Sequence, residues 1–179
     1  PHCMSFLDHI RRCNANDLDG FLPFEIGGAR VGWVRPAVRD VLLGLGRTFE
    51  ARAGGVALAQ RLETFDDRSA ALFEATTAIA AAGLAPRTRS ELYGVRAHWG
   101  RPPVAAVDRS VVAAFGFRAY GVHVNGWRRN AAGEIELWIG RRAADKSVEP
   151  GKLDNMVAGG QPLGLTLMEN LVKEAAEEA

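Results

Sequence analysis

Two consecutive prolines in the stretch Gly100-Arg101-Pro102-Pro103 constrain this chain more than any other local feature. Each proline lacks a backbone N–H and fixes φ at about −65°, so neither a helix interior nor a central strand continues through them. The strand-like run Glu91 to Trp99 therefore stops there, and Val104 to Ala114 reads as a connector holding one helical turn. The expectation is a division in that connector, with an N-terminal α+β domain over residues 1–107 and a second unit over residues 108–179. A chain of 179 residues is long enough for one sizeable domain or two small ones.

Before the break, helix and strand signals mix. Ser5 caps a short helix through Cys13, with Asp8 in its first turn and Phe6, Leu7 and Ile10 along one side. Gly27-Gly28 separates the apolar runs Phe21 to Ile26 and Arg30 to Val34, and glycine's tolerance of positive φ makes that a hairpin turn. Pro36 suits the first position of a helix whose residues Val38, Val41, Leu42 and Leu45 follow a helical repeat. A longer helix is expected from Arg68 to Ala82, capped by Asp66 or Asp67, closed by Gly83 and burying Leu72, Phe73 and Ile79.

After the break, Phe117 to Trp127 and Glu134 to Gly140 are β-like and joined by the polar turn Arg128 to Gly133. Asn155 to Ala158 makes a short strand that Gly159-Gly160 ends. The last helix, Thr166 to Ala179, is well signalled: Thr166 and Glu169 form a capping box, and Leu167, Leu171 and Ala175 supply the buried stripe.

Composition narrows the function. A hydrophobic fraction of 47% excludes intrinsic disorder, and a net charge of +1 argues against nucleic acid as a partner. No apolar run reaches the ~18 residues that span a bilayer, and Asp8, His9, Arg11 and Arg12 interrupt any signal peptide, so a cytoplasmic protein without a membrane partner is expected. Cys3 and Cys13 alone make no disulfide framework.

Glu174, Glu177 and Glu178 stand at i, i+3 and i+4 of the last helix, so one turn carries three carboxylates on one patch. Like charges at i,i+4 repel by about 0.2–0.5 kcal/mol, and negative charge at a helix C-terminus is further disfavoured. A divalent cation removes both costs, and Mg²⁺ takes carboxylate oxygens together with phosphate oxygens. A solvated, Glu-rich face satisfies the same spacing without a ligand.

The run from Gly159 to Ala179 adds a pattern to that spacing, led by Gly159 and closed by Lys173-Glu174, Ala175 and Glu177-Glu178. It resembles the Nudix box, a glycine-led segment ending in Arg-Glu, an apolar residue and paired glutamates. Leu165 stands where the box usually has its first glutamate, and Lys173 where it has arginine. The strings Tyr120 to Gly126, Leu137 to Arg142 and Pro150 to Gly160 resemble the branch of Nudix hydrolases related to the Nudix part of thiamine pyrophosphokinase fusion proteins. Members of that branch carry an N-terminal domain of uncharacterised role, which residues around Phe24 to Val34 and Glu74 to Tyr93 resemble.

The resemblance implies an α+β chain: an N-terminal α+β domain followed by the first part of a Nudix α/β/α sandwich that ends inside the box helix at Ala179. It further implies a fragment with an incomplete sheet and an uncovered helix face, whose continuation is required for activity. The implied reaction is Mg²⁺-dependent hydrolysis, with Mn²⁺ as an alternative ion, of a small organic diphosphate such as thiamine diphosphate or its oxidised analogues to the monophosphate. Glu174, Glu177 and Glu178 would be the metal ligands and catalytic groups, Glu174 alternatively positioning water. Gly159 and Gly160 would let the backbone approach phosphate, and Arg141 and Arg142 would contact it. Only one of two adjacent strand residues faces such a site, so a solvated strand end is the other reading of that arginine pair.

Several residues carry two readings. Trp127, Trp138 and Tyr93 suit a ring clamp or core packing, and His123 a cleft residue or a hydrogen-bonded edge histidine. His2, Cys3, His9 and Cys13 are zinc-ligand types without a common zinc spacing. Three rival functions stand beside the implied one, among them an interaction protein acting through its N-terminal domain. A Nudix-fold binding or regulatory module without turnover is favoured by the Leu165 and Lys173 departures and opposed by the three glutamates, and an enzyme for nucleoside diphosphate derivatives keeps the same site.

Overall fold

The computed structural model describes residues 5–145 and 149–178. Helix α1 (Phe6–Asn14) opens on the expected Ser5 cap, which is a full capping box: the Ser5 hydroxyl accepts from the Asp8 N–H, and the Asp8 carboxylate accepts from the Ser5 N–H at 3.0 Å. None of its residues is buried. Strands β1 (Leu22–Ile26) and β2 (Ala29–Val34) form the expected antiparallel hairpin, with Gly27 and Gly28 at φ 57° and 77°. Those left-handed angles are why glycine stands at both turn positions. Helix α2 (Pro36–Gly44) starts on its proline and buries Val38 and Leu42.

Strands β3 (Phe49–Arg52) and β4 (Gly55–Leu58) complete a four-stranded sheet of order β2-β1-β4-β3, in which β1 and β4 are parallel. Every residue of β4 is buried, so it shows none of the alternation that marks a half-exposed strand. Helix α3 (Phe65–Ala81) begins earlier than the pattern suggests, because Thr64 rather than Asp66 or Asp67 is the cap, its hydroxyl accepting from the Asp67 N–H at 3.1 Å. Leu72, Ala75, Thr76 and Ile79 form the buried face. Phe73 lies off that stripe and is 38% exposed, against the expectation that it packs inward.

Strands β5 (Leu92–Val95) and β6 (Ala105–Asp108) pair antiparallel, from Leu92 opposite Asp108 to Val95 opposite Ala105. The Pro-Pro stretch therefore belongs to the connection of a hairpin, and the first part of the expected connector, Ala105–Asp108, is a fully buried strand resting on α3. A 3-10 turn (Arg109–Val111) follows, and Val111, Val112, Phe115 and Phe117 enter the same core as Phe24, Leu42, Leu72 and Val95. The packing of the first unit thus runs past the division expected at 107/108. Phe24 is its centre, with ring centroids 5.1 Å from Phe115, 5.7 Å from Phe117 and 6.3 Å from Phe49. Burying one such ring contributes about 1.5–3 kcal/mol.

The rest of the chain forms strands β7 (Gly121–Val124), β8 (Trp127–Arg129), β9 (Ile135–Leu137), β10 (Gly140–Arg141), β11 (Leu153–Asp154) and β12 (Val157–Gly160), then helix α4 (Leu167–Glu178). The pairs β8/β9, β10/β11 and β7/β12 are antiparallel. Asn130 closes the β8/β9 turn, its Oδ1 accepting from the N–H groups of Ala132 and Glu134 at 3.0 Å each. Gly159 and Gly160 lie within β12, where the sequence suggests a loop after a strand. The Thr166–Glu169 capping box is present.

Helix α4 packs on β12 and β7, yet its buried residues are Asn170 and Glu174. The expected stripe of Leu167, Leu171 and Ala175 is at most half-buried, and Leu167 is 47% exposed. The helix meets β12 where Gly159 extends no side chain, and Glu174 fills that space; the Asn170 amide donates to the Gly160 carbonyl at 3.0 Å. Helices and mixed, mainly antiparallel strands make this an α+β fold. Among the described residues no helix is long and apolar enough to cross a membrane. Cys13 is a free, exposed thiol, whereas His2, Cys3 and Ala179 lie outside the described residues.

Candidate active site

The β7/β12 ribbon organises the site. Gly160 lies opposite Gly121 and Ala158 opposite His123, while Gly159 lies opposite Val122 and Val157 opposite Val124. Side chains alternate along strands, so Gly121, His123, Ala158 and Gly160 share one face and the other four residues share the reverse. On the reverse face, a Cβ on Gly159 would sit 2.0 Å from Cδ of Glu174. On the first face, a Cβ on Gly160 would sit 1.6 Å from the Tyr93 hydroxyl oxygen. Each glycine thus makes room for a large side chain, one from α4 and one from β5.

The three glutamates leave a single turn for three destinations. Glu174 is 8% exposed, packed behind Gly159, with Oε1 3.1 Å from Lys173 Nζ. The same ammonium is 3.1 Å from Oε1 of Glu177, and these two carboxylates raise the Lys173 pKa above its ordinary value. Glu178 accepts from the Ala158 N–H at 3.1 Å. Among the described residues, no three His, Cys, Asp or Glu side chains converge closely enough to hold a metal ion. The donor chemistry nevertheless fits a hard divalent cation. Glu177 and Glu178 are exposed carboxylates on the wall of a cleft of about 350 Å³.

Arg141 and Arg142 line that same cleft. Arg142 is held by Asp154 at 2.6 Å, and this bond, with the Asn155 N–H, keeps the Asp154 carboxyl below the usual carboxylate range. Arg141 donates to the Gly151 carbonyl at 3.1 Å. Gly159 and Gly160 instead border a second, larger groove of about 650 Å³, which Arg142 and Asp154 also line. His123 stands in this groove as an exposed edge residue, its Nδ1 2.8 Å from Oδ1 of Asn155.

Of the aromatic candidates, Tyr93 is buried and borders the groove, while Trp127 and Trp138 are 60% and 58% exposed and border neither cavity. Burial raises the Tyr93 pKa, opposed by the nearby Arg109 and reinforced by Glu91 and Glu174. Two roles escaped the sequence reading. Lys173 acts as counter-ion to two glutamates, a role its i,i+4 spacing to Glu177 hints at. Arg109, 2.7 Å from Glu91 and with its guanidinium 5.8 Å from the Tyr93 ring centre, reaches the groove only because β5 and β6 pair as they do, and no local pattern announces it.

Fold and site define a class: an α+β chain whose last helix ends in carboxylates beside an arginine-lined cleft. The chain belongs to the family described as Domain of unknown function (DUF4743), which matches residues 5–119. Its relationship to Nudix hydrolases extends over nearly its whole length. It is 36% identical over 178 residues to Nudix hydrolase 24, chloroplastic, of Arabidopsis thaliana, covering 97% of this chain and 48% of the relative. It is 35% identical over 185 residues to Nudix hydrolase 20, chloroplastic, of the same plant, covering 97% and 49%. An uncharacterised protein of Saccharomyces cerevisiae is 34% identical over 93 residues, 51% of this chain and 26% of its own. The chain thus spans about half the length of the two plant relatives.

Proposed function

We propose that this chain carries part of a Mg²⁺-dependent hydrolase, with Mn²⁺ as an alternative ion, that cleaves the diphosphate bond of a small organic diphosphate; thiamine diphosphate or its oxidised analogues are the substrates the motif resemblance favours. One observation carries the reading: Glu177 and Glu178 share a cleft of about 350 Å³ with Arg141 and Arg142. Carboxylates and guanidinium groups in one cleft suit a metal-bound, negatively charged diphosphate. Glu177 and Glu178 would hold the ion, which when bound supplies charge neutralisation and a more acidic water. Arg142, oriented by Asp154, and Arg141 place two positive charges on the cleft wall toward phosphate. Glu174, shielded behind Gly159, holds Lys173, whose ammonium also pairs with Glu177 and competes with the ion for that carboxylate. Water adds to phosphorus, the bridging P–O bond breaks, and a monophosphate and phosphate leave.

A non-catalytic diphosphate binder is the second reading, favoured by Lys173 already occupying the space between Glu174 and Glu177. The test is monophosphate release from thiamine diphosphate, its oxidised analogues and ADP, with and without Mg²⁺, by wild type, Glu177→Gln and Glu178→Gln. The expected result is Mg²⁺-dependent release that falls about tenfold or more in each variant. Equal rates in all three proteins overturn the metal assignment, and binding without turnover under either ion establishes the second reading.

A further inference from the structure

The carboxylate cleft and the larger groove are neighbours. Arg142 and Asp154 line both, so their ion pair forms a sill between the two spaces. The far wall of the groove comes from the N-terminal unit, through Tyr93 on β5, Arg109 in the 3-10 turn, and Val112 and Ala113 beyond it. That wall is fixed against the ribbon. The Leu163 N–H donates to the Leu92 carbonyl at 2.7 Å, and the Tyr93 hydroxyl occupies the space beside Gly160. Arg109 is tied to Glu91 through one guanidinium nitrogen, and its side chain is 45% exposed, which leaves donors of the fork open to the groove. A volume of about 650 Å³ lies within the range of small-molecule sites, about 300–1,000 Å³.

We infer that this groove seats the organic group of the diphosphate, and that Arg109, supplied by the domain of unknown function, is a specificity-determining residue for that group. The inference rests on the hydrolase reading of the adjoining cleft. A ligand whose phosphates lie beside Arg141 and Arg142 passes over the Arg142–Asp154 sill before its remaining atoms meet the groove. There the lining offers a guanidinium, the His123 imidazole, glycine backbone at Gly121 and Gly160, and the small apolar Val112 and Ala113. A guanidinium stacks on planar rings and donates to acceptors at their edges. The groove therefore suits a flat, nitrogen- or oxygen-bearing ring better than an aliphatic chain. On this account the N-terminal domain is one wall of the substrate site.

Binding of reaction products tests this without turnover. Calorimetric affinities for thiamine monophosphate, AMP and inorganic phosphate are compared in wild type, Arg109→Ala and Glu91→Gln. Wild type is expected to bind the two organic monophosphates more tightly than inorganic phosphate. Arg109→Ala is expected to weaken organic monophosphates about tenfold while leaving inorganic phosphate within about twofold. Glu91→Gln breaks the same ion pair but keeps the guanidinium, so its affinities stay near wild type. The inference is overturned if wild type does not prefer the organic monophosphates, if Arg109→Ala changes nothing or weakens all three ligands equally, or if Glu91→Gln reproduces its effect. Failure of the hydrolase reading shows separately, as Mg²⁺-independent or unchanged rates in Glu177→Gln and Glu178→Gln.

Discussion

Gly160→Ala is the sharpest structural perturbation available at the junction of the two halves. The added methyl would lie 1.6 Å from the Tyr93 hydroxyl oxygen and 2.8 Å from Cζ. Carbon contacts are comfortable only at about 3.5 Å, so the hydroxyl must retreat by roughly 2 Å. Tyr93 has little freedom to do so: it is 7% exposed, and its backbone is registered against Val107 in the β5/β6 pair. Overpacking of this kind costs about 1–3 kcal/mol. For a domain of this size 1 kcal/mol moves Tm by about 2–4 °C, so a drop of roughly 2–12 °C is expected. Tyr93→Phe removes the atom in closest conflict, and a double-mutant cycle should return about 0.5–2 kcal/mol of favourable coupling. Thermal unfolding followed by circular dichroism reads all four proteins. A Gly160→Ala protein melting within about 1 °C of wild type, or strictly additive single effects, would refute the close packing of Tyr93 on β12.

Other perturbations reach other parts of the account. Phe115→Ala should cost about 3–5 kcal/mol in denaturant titration, because Phe115 is fully buried against Phe24; a loss below about 1 kcal/mol would place it outside the first core. Asp108 is buried, which resists its ionisation, but donors from Ser110, Arg89 and Ser90 outweigh that and hold its carboxyl below the usual value. Its stabilisation is therefore present above the unfolded pKa of about 3.9 and lost as pH falls through the lower folded value. Asp108→Ala should cost about 1–3 kcal/mol at neutral pH, with the gap to wild type narrowing below about pH 3.9; a gap independent of pH contradicts this. Lys173→Met removes the cation that competes for Glu174 and Glu177, so Mg²⁺ affinity should rise about two- to fivefold, and weaker binding would count against the shared position.

Local signals in the sequence carry the elements whose causes are local. The glycine pair at 27 and 28, the proline that starts α2 and the Thr166–Glu169 box each leave a mark within a few residues, and the hairpin and helices lie where those marks point. Strands β4 and β6 are buried at every position, so they carry no alternation to read. The Pro-Pro stretch shows why a break is not a boundary. Strand β5 already ends at Val95, ahead of the prolines, and only the long-range pairing of β5 with β6 shows that the same core continues on their far side. At the site, helical spacing places three glutamates on one turn. It does not reveal that Glu174 turns inward, because that depends on the missing side chain of Gly159 across the interface. Arg109 enters the groove through the β5/β6 hairpin, a placement with no signature of its own.

Direct metal binding tests the central claim most closely. Titration of the protein with Mg²⁺ by calorimetry, repeated with Mn²⁺, should show saturable binding in wild type that weakens about tenfold or more in Glu177→Gln and Glu178→Gln while both variants remain folded. Absence of saturable binding by wild type, or equal affinity in all three proteins, would contradict the assignment of these carboxylates as the metal-holding groups.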